Sequence, residues 1–323
     1  MIIKFFAKLF LFILILFCIQ LCVAEPLVIP NELNNMEKAL QFGANVLYFG
    51  DSTIVYSSKT DPSTQSTPEL LMRMLPKSTL WTVTHNSLDL HAYDAYVDYM
   101  LRKGYHPKFL IFPINLRSFS PVWAHNPTMQ FESEEFIIRT KDTIWSKFYH
   151  PLGVFKYFEP PYSQIVYENT PIEFHHQNYG RLKDLMETAN STPDDETKQK
   201  KQFILDYLYQ LTPKYNKIHS MLRLVQRLKG TGIEPIFYIT PVDVQTGTQL
   251  LGDDFIKTLR NNAHVIDSLL TQRSINILDF SSSLPSTCFM WREEGYPNEH
   301  LNLLGRYFLA TSLAQRSNLK DYK

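Results

Sequence analysis

Five short runs of apolar residues recur along the chain, and each is followed at once by a polar or turn-forming residue. Runs of four to eight apolar residues bounded in this way are typical of strands that are buried on both faces of a parallel sheet. The pattern therefore predicts five strands, at residues 45–49, 80–84, 109–114, 235–239 and 275–280.

Between these runs, apolar residues recur at helical spacing. This spacing predicts six helices, at residues 68–75, 88–103, 134–148, 203–229, 253–272 and 303–316. Strands that alternate with helices form a parallel sheet covered on both faces. The predicted fold class is therefore α/β, with three α/β/α layers around a central parallel sheet. Functional residues of such folds lie just beyond the carboxyl ends of the strands.

One long segment, residues 120–202, interrupts the alternation. It begins with aromatic stretches punctuated by proline and ends in a charged run from Lys183 to Lys201. Proline breaks both helices and strands, so we interpret the first part as an insertion beside the site. The charged run is interpreted as a solvated loop or an exposed helix. We expect residues 25–323 to form a single domain that carries this insertion.

The first 24 residues have the pattern of a targeting segment. Two lysines among the first eight residues precede an apolar run at residues 9–24. A basic start followed by an apolar core is typical of a secretory signal peptide. The same run also fits an uncleaved anchor at residues 5–24. We therefore expect an exported protein of the periplasm or cell envelope.

Charge and cysteine content narrow the class of protein. The 32 basic residues balance 32 acidic ones, and cleavage after Ala24 would leave 30 against 32, a net charge of −2. Binding to nucleic acid depends on neutralising phosphates with a surplus of basic residues, so no nucleic-acid partner is expected.

Cleavage would also leave Cys288 as the sole cysteine, which excludes an internal disulfide. Adjacent side chains diverge, so His175 and His176 do not suit a shared metal.

Two short motifs carry candidate chemistry. In the first, Gly50-Asp51-Ser52-Thr53 follows the first predicted strand, where a serine hydroxyl and its backbone N–H would both be accessible for nucleophilic attack. An alternative is that Ser52 caps a helix. In the second, His300 precedes the last predicted helix and could act as general base to Ser52. Its alternative is a histidine that caps the helix or is hydrogen-bonded within a loop.

Together, Gly50-Asp51-Ser52 and the C-terminal Glu299-His300-Leu301-Asn302 make the chain resemble the SGNH/GDSL hydrolase family. The first sequence block of that family is a Gly-Asp-Ser around the nucleophile, and its last block holds the catalytic histidine before the final helix. The resemblance extends from about residue 45 to residue 314, outside the insertion. It implies a flavodoxin-like three-layer fold, with Ser52 as the nucleophile and His300 as the base.

The intermediate blocks of the family match less closely. The resemblance implies Asn115, after the third strand, as an oxyanion donor, although Pro113 stands where the family has glycine. The second block has no glycine, so Asn86 or Ser87 would have to supply a backbone N–H. Arg117 at the same rim is a candidate for binding an anionic group of the substrate, or for pairing with a carboxylate.

The sequence departs most clearly from the family pattern at the acid of the catalytic triad. The family pattern Asp-x-x-His would place a carboxylate at position 297, which is Pro297 here. Glu299 is a candidate if the local turn brings its carboxylate round to His300 Nδ1. Asp279, at the end of the last strand, is another. A Ser–His dyad oriented by a backbone carbonyl also remains open, since loss of the acid slows catalysis without abolishing it.

The resemblance implies an exported serine esterase or O-acyltransferase that acts on acyl, most often acetyl, esters of cell-envelope polysaccharide. Lipid esters are the second choice of substrate, and a membrane-bound acyltransferase is a candidate partner. Trp123, Tyr162 and Tyr179 could stack on sugar rings or pack as core or lid. The alternative function is a catalytically impaired envelope protein that binds or positions polysaccharide. No metal or organic cofactor is expected, because the mechanism requires none and no ligand cluster or phosphate-binding loop is present.

Overall fold

The architecture is taken from a computed structural model. It describes residues 2–23, 29–124, 131–143, 169, 171–174, 177–184, 195–295, 297–316 and 319. Within these ranges the strands and helices alternate as the apolar pattern predicts.

The centre of the fold is a five-stranded sheet in which every neighbouring pair is parallel, with the order β2-β1-β3-β6-β7. Its strands are β1 (Val46–Gly50), β2 (Leu80–Thr84), β3 (Phe109–Ile114), β6 (Glu234–Ile239) and β7 (Ile277–Asp279). A separate antiparallel hairpin consists of β4 (Pro171–Phe174) and β5 (Gln177–Arg181). Because β1 is an inner strand beside β3, the segments that follow these two strands emerge next to each other.

Helices cover both faces of the sheet, which confirms the three-layer α/β/α prediction. Leu47 and Phe49 of β1 belong to one hydrophobic cluster, whereas Val46 and Tyr48 belong to the other. This separation follows from the strand geometry, since successive side chains point to opposite faces. All five residues of β1 are buried, as expected of a strand covered on both faces.

The helices that the structure describes are short to medium in length. They are α1 (Ile2–Val23), α2 (Asn31–Gln41), α3 (Ser52–Val55), α4 (Thr67–Met74), α5 (Leu90–Arg102), α6 (Pro121–Ala124), α7 (Glu132–Thr140), α8 (Asp195–Tyr207), α9 (Asn216–Leu228), α10 (Val244–Leu251), α11 (Asp253–Thr271), α12 (Trp291–Glu294) and α13 (Leu303–Arg316). Two 3₁₀ turns lie at Leu116–Phe119 and Ser286–Cys288. Of these, α4 and α13 pack on one face of the sheet, and α2, α5, α9 and α11 pack on the other.

The prediction of one long helix at residues 203–229 is wrong, because two helices occupy this region. α8 ends at Tyr207 and α9 begins at Asn216, with Pro213 between them. Proline lacks an N–H and disfavours helical geometry in the preceding residue, so the helix cannot continue through it. The connection is fixed from outside, since Asn262 of α11 accepts from Leu211 N at 2.9 Å and donates to Tyr209 O at 2.8 Å.

The predicted insertion contains regular structure of its own. The 3₁₀ turn after β3, α6, α7, the β4–β5 hairpin and the start of α8 all fall within or beside residues 120–202. The charged run up to Lys201 leads into α8, whose last residues, from Phe203 onward, are buried. The end of the run itself, at residues 196–201, is helical with exposed or half-buried side chains, which agrees with the exposed helix rather than the solvated loop.

At the N-terminus, the predicted targeting segment contains the helix α1, whose large apolar side chains from Ile2 to Leu16 and at Ile19 are exposed. Among the residues that the structure describes, no helix combines the length and apolar character that crossing a membrane requires. The predicted cleavage position at Ala24 lies outside the described residues.

Candidate active site

The segment that follows β1 turns sharply from strand into helix at Ser52. Gly50 permits this turn, because a Cβ at this position would lie 2.3 Å from Ile54 Cδ1. Asp51 is the N-cap of α3, and its Oδ1 accepts from Thr53 N at 2.9 Å and from Thr53 Oγ1 at 2.6 Å. The capping role thus belongs to Asp51. The Ser52 hydroxyl is left for another partner.

The C-terminal motif lies between α12 and α13, in a segment whose residues 297–301 are buried. His300 N donates to Asn298 Oδ1 at 2.8 Å, and His300 O accepts from Met290 N at 3.0 Å. An antiparallel bridge joins Leu301 to Phe289. Backbone hydrogen bonds on both sides of His300 therefore fix where its imidazole points.

The two motifs meet at the carboxyl end of β1. His300 Nε2 lies 2.9 Å from Ser52 Oγ, across 248 residues of sequence. His300 is 3% exposed, whereas Ser52 is half-buried, so the base is shielded while the hydroxyl can still be reached. In the neutral tautomer with the proton on Nδ1, Nε2 is the acceptor that a serine nucleophile needs.

Tyr56, one helical turn beyond Ser52, contacts the same imidazole. Its ring centroid lies 4.9 Å from that of His300, and its hydroxyl donates to Asn86 Oδ1 at 3.1 Å. Tyr56 is 41% exposed and therefore forms part of the rim of the site. No motif of the sequence marks Tyr56. Its position as the residue directly after α3, four residues after the nucleophile, is the signal that could have found it.

Asn115 follows β3 at the same level of the sheet as Ser52. In the β1–β3 ladder, Tyr48 pairs with Ile111, so Ser52 and Asn115 lie at equivalent positions beyond the two strand ends. Asn115 Oδ1 accepts from Arg117 N at 3.0 Å, and this hydrogen bond turns the side-chain NH₂ away from that loop. The amide N–H groups and the N–H of Ser52, at the first turn of α3, are the donors available to an oxyanion.

The segment after β2 lies at the same level of the sheet. Gly50 pairs with Thr84, which places Asn86 at the position equivalent to Ser52. Ser87 has a φ of 67°, the left-handed conformation that glycine adopts without strain. Together with Asp51 and Asn115, Ser87 lines a small cavity. The predicted roles of Asn86 in substrate binding and of Asn115 in the oxyanion hole stay predictions.

The Glu299 carboxylate is fully buried and is occupied by two partners from other segments. Its Oε2 lies 3.1 Å from Arg117 Nη2, and its Oε1 accepts from the Tyr207 hydroxyl. The role of Glu299 as the acid that orients His300 stays a prediction.

Asp279 is also turned elsewhere. Its Oδ1 accepts from Ser281 N at 2.8 Å, and its strand β7 is separated from β1 by β3 and β6. The Ser–His dyad oriented by a backbone carbonyl therefore stays a prediction.

Arg117 is likewise not a free cation for substrate. It is 7% exposed, pairs with Glu299, and its guanidinium lies 5.1 Å from the ring centroid of Trp123. Burial lowers the pKa of Arg117, but the carboxylates of Glu299 and Asp206 raise it by more, so its pKa stays above the usual value. Of the two predicted roles of Arg117, the structure shows the pairing with a carboxylate.

Of the three aromatic candidates for stacking on sugar rings, the structure describes only the side chain of Trp123. Trp123 is half-buried, and its ring faces the cations of Arg117 and Lys217. Tyr162 and the side chain of Tyr179 lie outside what the structure describes, as do His175 and His176.

Two buried residues at the end of α8 border the site and were missed by the sequence analysis. Burial and the nearby Glu299 raise the pKa of Tyr207 well above its usual value, so its hydroxyl remains a neutral donor to Glu299. Burial raises the pKa of Asp206 to about 7, although Arg117 and a hydrogen bond from Gln202 lower it. Both residues lie in the predicted helix at residues 203–229, just beyond the predicted insertion, and no motif marks them.

The described residues contain no group of three or more His, Cys, Asp or Glu side chains placed to hold a metal ion.

Comparison with known proteins gives only distant similarity. No family model matches the sequence, and no curated protein matches it. A solved structure of a catalytic mutant of Axe2, an acetylxylan esterase from Geobacillus stearothermophilus, aligns with 84% of this chain and 93% of its own, at 11% identity and a TM-score of 0.41. The native aryl esterase of M. smegmatis aligns with 85% of this chain and 98% of its own, at 10% identity and a TM-score of 0.38.

Structural similarity at TM-scores this low does not indicate the activity of this chain. What the site shares with the SGNH/GDSL pattern is therefore the geometry of its own residues: Ser52 directly after β1, hydrogen-bonded to His300 directly before α13.

Proposed function

We propose that the protein is a serine esterase or O-acyltransferase that works through an acyl-enzyme. The observation that carries this proposal is the 2.9 Å contact between Ser52 Oγ and His300 Nε2. A buried imidazole that accepts from a half-exposed serine at the end of a central parallel strand is an activated nucleophile. Each half of the pair is held by separate backbone contacts, so the pairing does not depend on flexible surface side chains.

In the first half-reaction, Ser52 Oγ attacks the ester carbonyl while His300 Nε2 takes the hydroxyl proton. The negative charge on the carbonyl oxygen of the tetrahedral intermediate is stabilised by the Ser52 N–H and by the Asn115 side-chain NH₂. The bond to the leaving oxygen then breaks, and His300 gives its proton to that oxygen. The products are an alcohol and Ser52 carrying the acyl group as an ester.

In the second half-reaction, water or an acceptor hydroxyl attacks the acyl-Ser52 carbonyl. His300 takes the proton of the attacking oxygen and returns it to Ser52 Oγ as the acyl bond breaks. Water yields a carboxylic acid, and a sugar hydroxyl yields a new ester. Hydrolysis and transfer use the same residues, so they differ only in which acceptor reaches the site.

For the substrate, we propose acetyl esters of cell-envelope polysaccharide, with a membrane-bound acyltransferase as candidate partner. The basic and apolar pattern of residues 1–24 supports export, with this segment acting as a signal peptide or as an anchor. The half-exposed Ser52 and the exposed rim at Tyr56 support a substrate that approaches from outside rather than one that is enclosed. Lipid esters are the second substrate class.

The proposal is tested with p-nitrophenyl acetate and a fluorophosphonate probe on the purified chain. We expect turnover and covalent labelling in the wild type and in Ser57→Ala, a control at a half-buried serine five residues away. Ser52→Ala should lose both, with turnover reduced by roughly three orders of magnitude or more. Turnover that persists in Ser52→Ala would refute the mechanism.

The alternative function is a catalytically impaired envelope protein that binds or positions polysaccharide. It is favoured by the position of Glu299, whose carboxylate is engaged by Arg117 and Tyr207. The same experiment separates the two functions, because a binding protein would show neither turnover nor labelling of Ser52. Adding acetylated and unacetylated oligosaccharides to the acyl-enzyme then distinguishes transfer from hydrolysis.

A further inference from the structure

Glu299 occupies an unusual environment for a carboxylate. It is 1% exposed, and both of its oxygens face groups of other segments, namely Arg117 of the 3₁₀ turn after β3 and Tyr207 at the end of α8. Removing a carboxylate and a guanidinium from water is unfavourable, and a buried pair is often no more stable than well-packed apolar residues. Stability alone therefore does not account for this Arg117–Glu299–Tyr207 cluster.

The chain positions of the cluster connect the two parts of the site. Glu299 is the immediate neighbour of His300, and Arg117 is two residues from Asn115. The backbone N–H of Arg117 donates to Asn115 Oδ1 at 3.0 Å, so the residue that holds Glu299 also orients the amide of Asn115. The ion pair thus joins the loop of the base to the loop of the oxyanion donor.

The end of α8 and the residues directly after it contact both loops as well. The hydroxyl of Tyr207, the last residue of α8, donates to Glu299, and the hydroxyl of Tyr209, two residues further on, donates to Leu116 O at 2.5 Å. Tyr207 and Tyr209 are both buried, and burial raises the pKa of each well above its usual value, so each stays a neutral donor. One helix end therefore fixes the distance between the His300 loop and the Asn115 loop.

Resting on the proposed function, we propose that Arg117, Glu299 and Tyr207 are positioning residues, which hold His300 and Asn115 at the separation that attack by Ser52 requires. Misplacing a reacting group by about 1 Å can reduce the rate roughly 100-fold without weakening substrate binding. The cluster acts through its neighbours, since its charged atoms are buried and its polar contacts are with one another.

Two variants test the proposal in complementary ways. Tyr207→Phe removes one hydroxyl and leaves His300 and Asn115 untouched. The double variant Arg117→Met/Glu299→Leu replaces the ion pair by apolar side chains of similar size, which avoids leaving an unpaired buried charge. Tyr99→Phe is the matched control, because Tyr99 is also fully buried and its hydroxyl also donates to a glutamate, Glu37.

We expect both cluster variants to unfold near the wild-type temperature but to lose about tenfold or more in kcat and in the rate of fluorophosphonate labelling, with KM changed by no more than about twofold. Tyr99→Phe should label at the wild-type rate even if its unfolding temperature falls. A folded cluster variant that labels within about twofold of the wild type would overturn the proposal.

Failure of the proposed function is distinguishable from failure of the positioning role. If wild-type Ser52 neither turns over substrate nor labels, the esterase proposal is refuted. The imidazole ¹⁵N–¹H signals of His300, assigned with a His300→Gln variant, then report on position directly. Signals that move in the double variant and not in Tyr99→Phe would support the positioning role, and signals that stay in place in both would refute it.

Discussion

Asp206 makes the stability of this protein depend on pH in an unusual direction. The carboxyl group lies at the end of α8, 1% exposed, with Gln202 Nε2 donating to Oδ2 at 2.9 Å. Burial raises its pKa from 3.8 to about 7, against the opposing effects of Arg117 and Gln202 and with a further contribution from Glu299. Asp206→Asn replaces the carboxyl by a neutral group of nearly the same shape.

The size of the effect follows from the two pKa values of Asp206. Between about pH 4 and pH 7 the folded chain keeps a proton that the unfolded chain has lost, so the free energy of unfolding decreases as the pH rises. A difference of roughly three pKa units, at about 1.4 kcal/mol per unit, amounts to about 4 kcal/mol. The contribution is fully present below pH 4 and is lost above pH 7.

The assay compares thermal unfolding of wild type and Asp206→Asn at pH 5, 6, 7 and 8. Between pH 5 and pH 8 the wild type loses about 3 kcal/mol of this contribution, so the variant should gain stability relative to the wild type as the pH rises. For a chain of this size the difference in unfolding temperature should grow by roughly 4 °C. Asp184→Asn serves as the control, since Asp184 belongs to an exposed ion pair with Arg181. A difference between Asp206→Asn and wild type that is the same at pH 5 and pH 8 would refute the reasoning.

Two further predictions concern the first turn of α13, directly after the His300 loop, and the rim of the active site. Gly305→Ala should destabilise the chain by about 1–3 kcal/mol in urea unfolding, because its Cβ would lie 2.8 Å from the Cys288 carbonyl oxygen; an unchanged midpoint would contradict this close approach. Tyr56→Phe, which keeps the ring on His300 but loses the hydrogen bond to Asn86, should label with fluorophosphonate within about threefold of the wild type, whereas Tyr56→Ala should label about tenfold more slowly. Equal rates for the two Tyr56 variants would show that the ring contact does not matter.

The central sheet was predictable because its strands are buried on both faces. Runs such as residues 80–84 and 109–114 coincide with the observed strands, since a buried strand must be apolar at every position and a polar residue ends it. The predicted ends of the helices agree less well with the structure. The helical pattern continues on both sides of Pro213, so it predicts one helix where α8 and α9 lie, and it predicts neither α2 nor α10.

At the site, the nucleophile and base could be proposed from sequence because each stands directly after or before an element of the central fold. The orientation of the Glu299 carboxylate could not be predicted from the sequence. It depends on Arg117 and Tyr207, which lie 182 and 92 residues away along the chain. Adjacent positions in sequence indicate proximity of backbones, but which way a buried carboxylate turns is decided by the cation that reaches it in the folded state.

The hydrogen bond between Ser52 and His300 joins the beginning of the sheet to the last helix, across 248 residues. During synthesis, β1 leaves the ribosome long before α13, so the serine has no base until the last part of the chain has been added and docked. Contacts of such large sequence separation form late in folding. Fluorophosphonate labelling of Ser52 thus doubles as a reporter of complete folding, and a chain truncated before His300 would present the serine hydroxyl as an ordinary, unreactive alcohol.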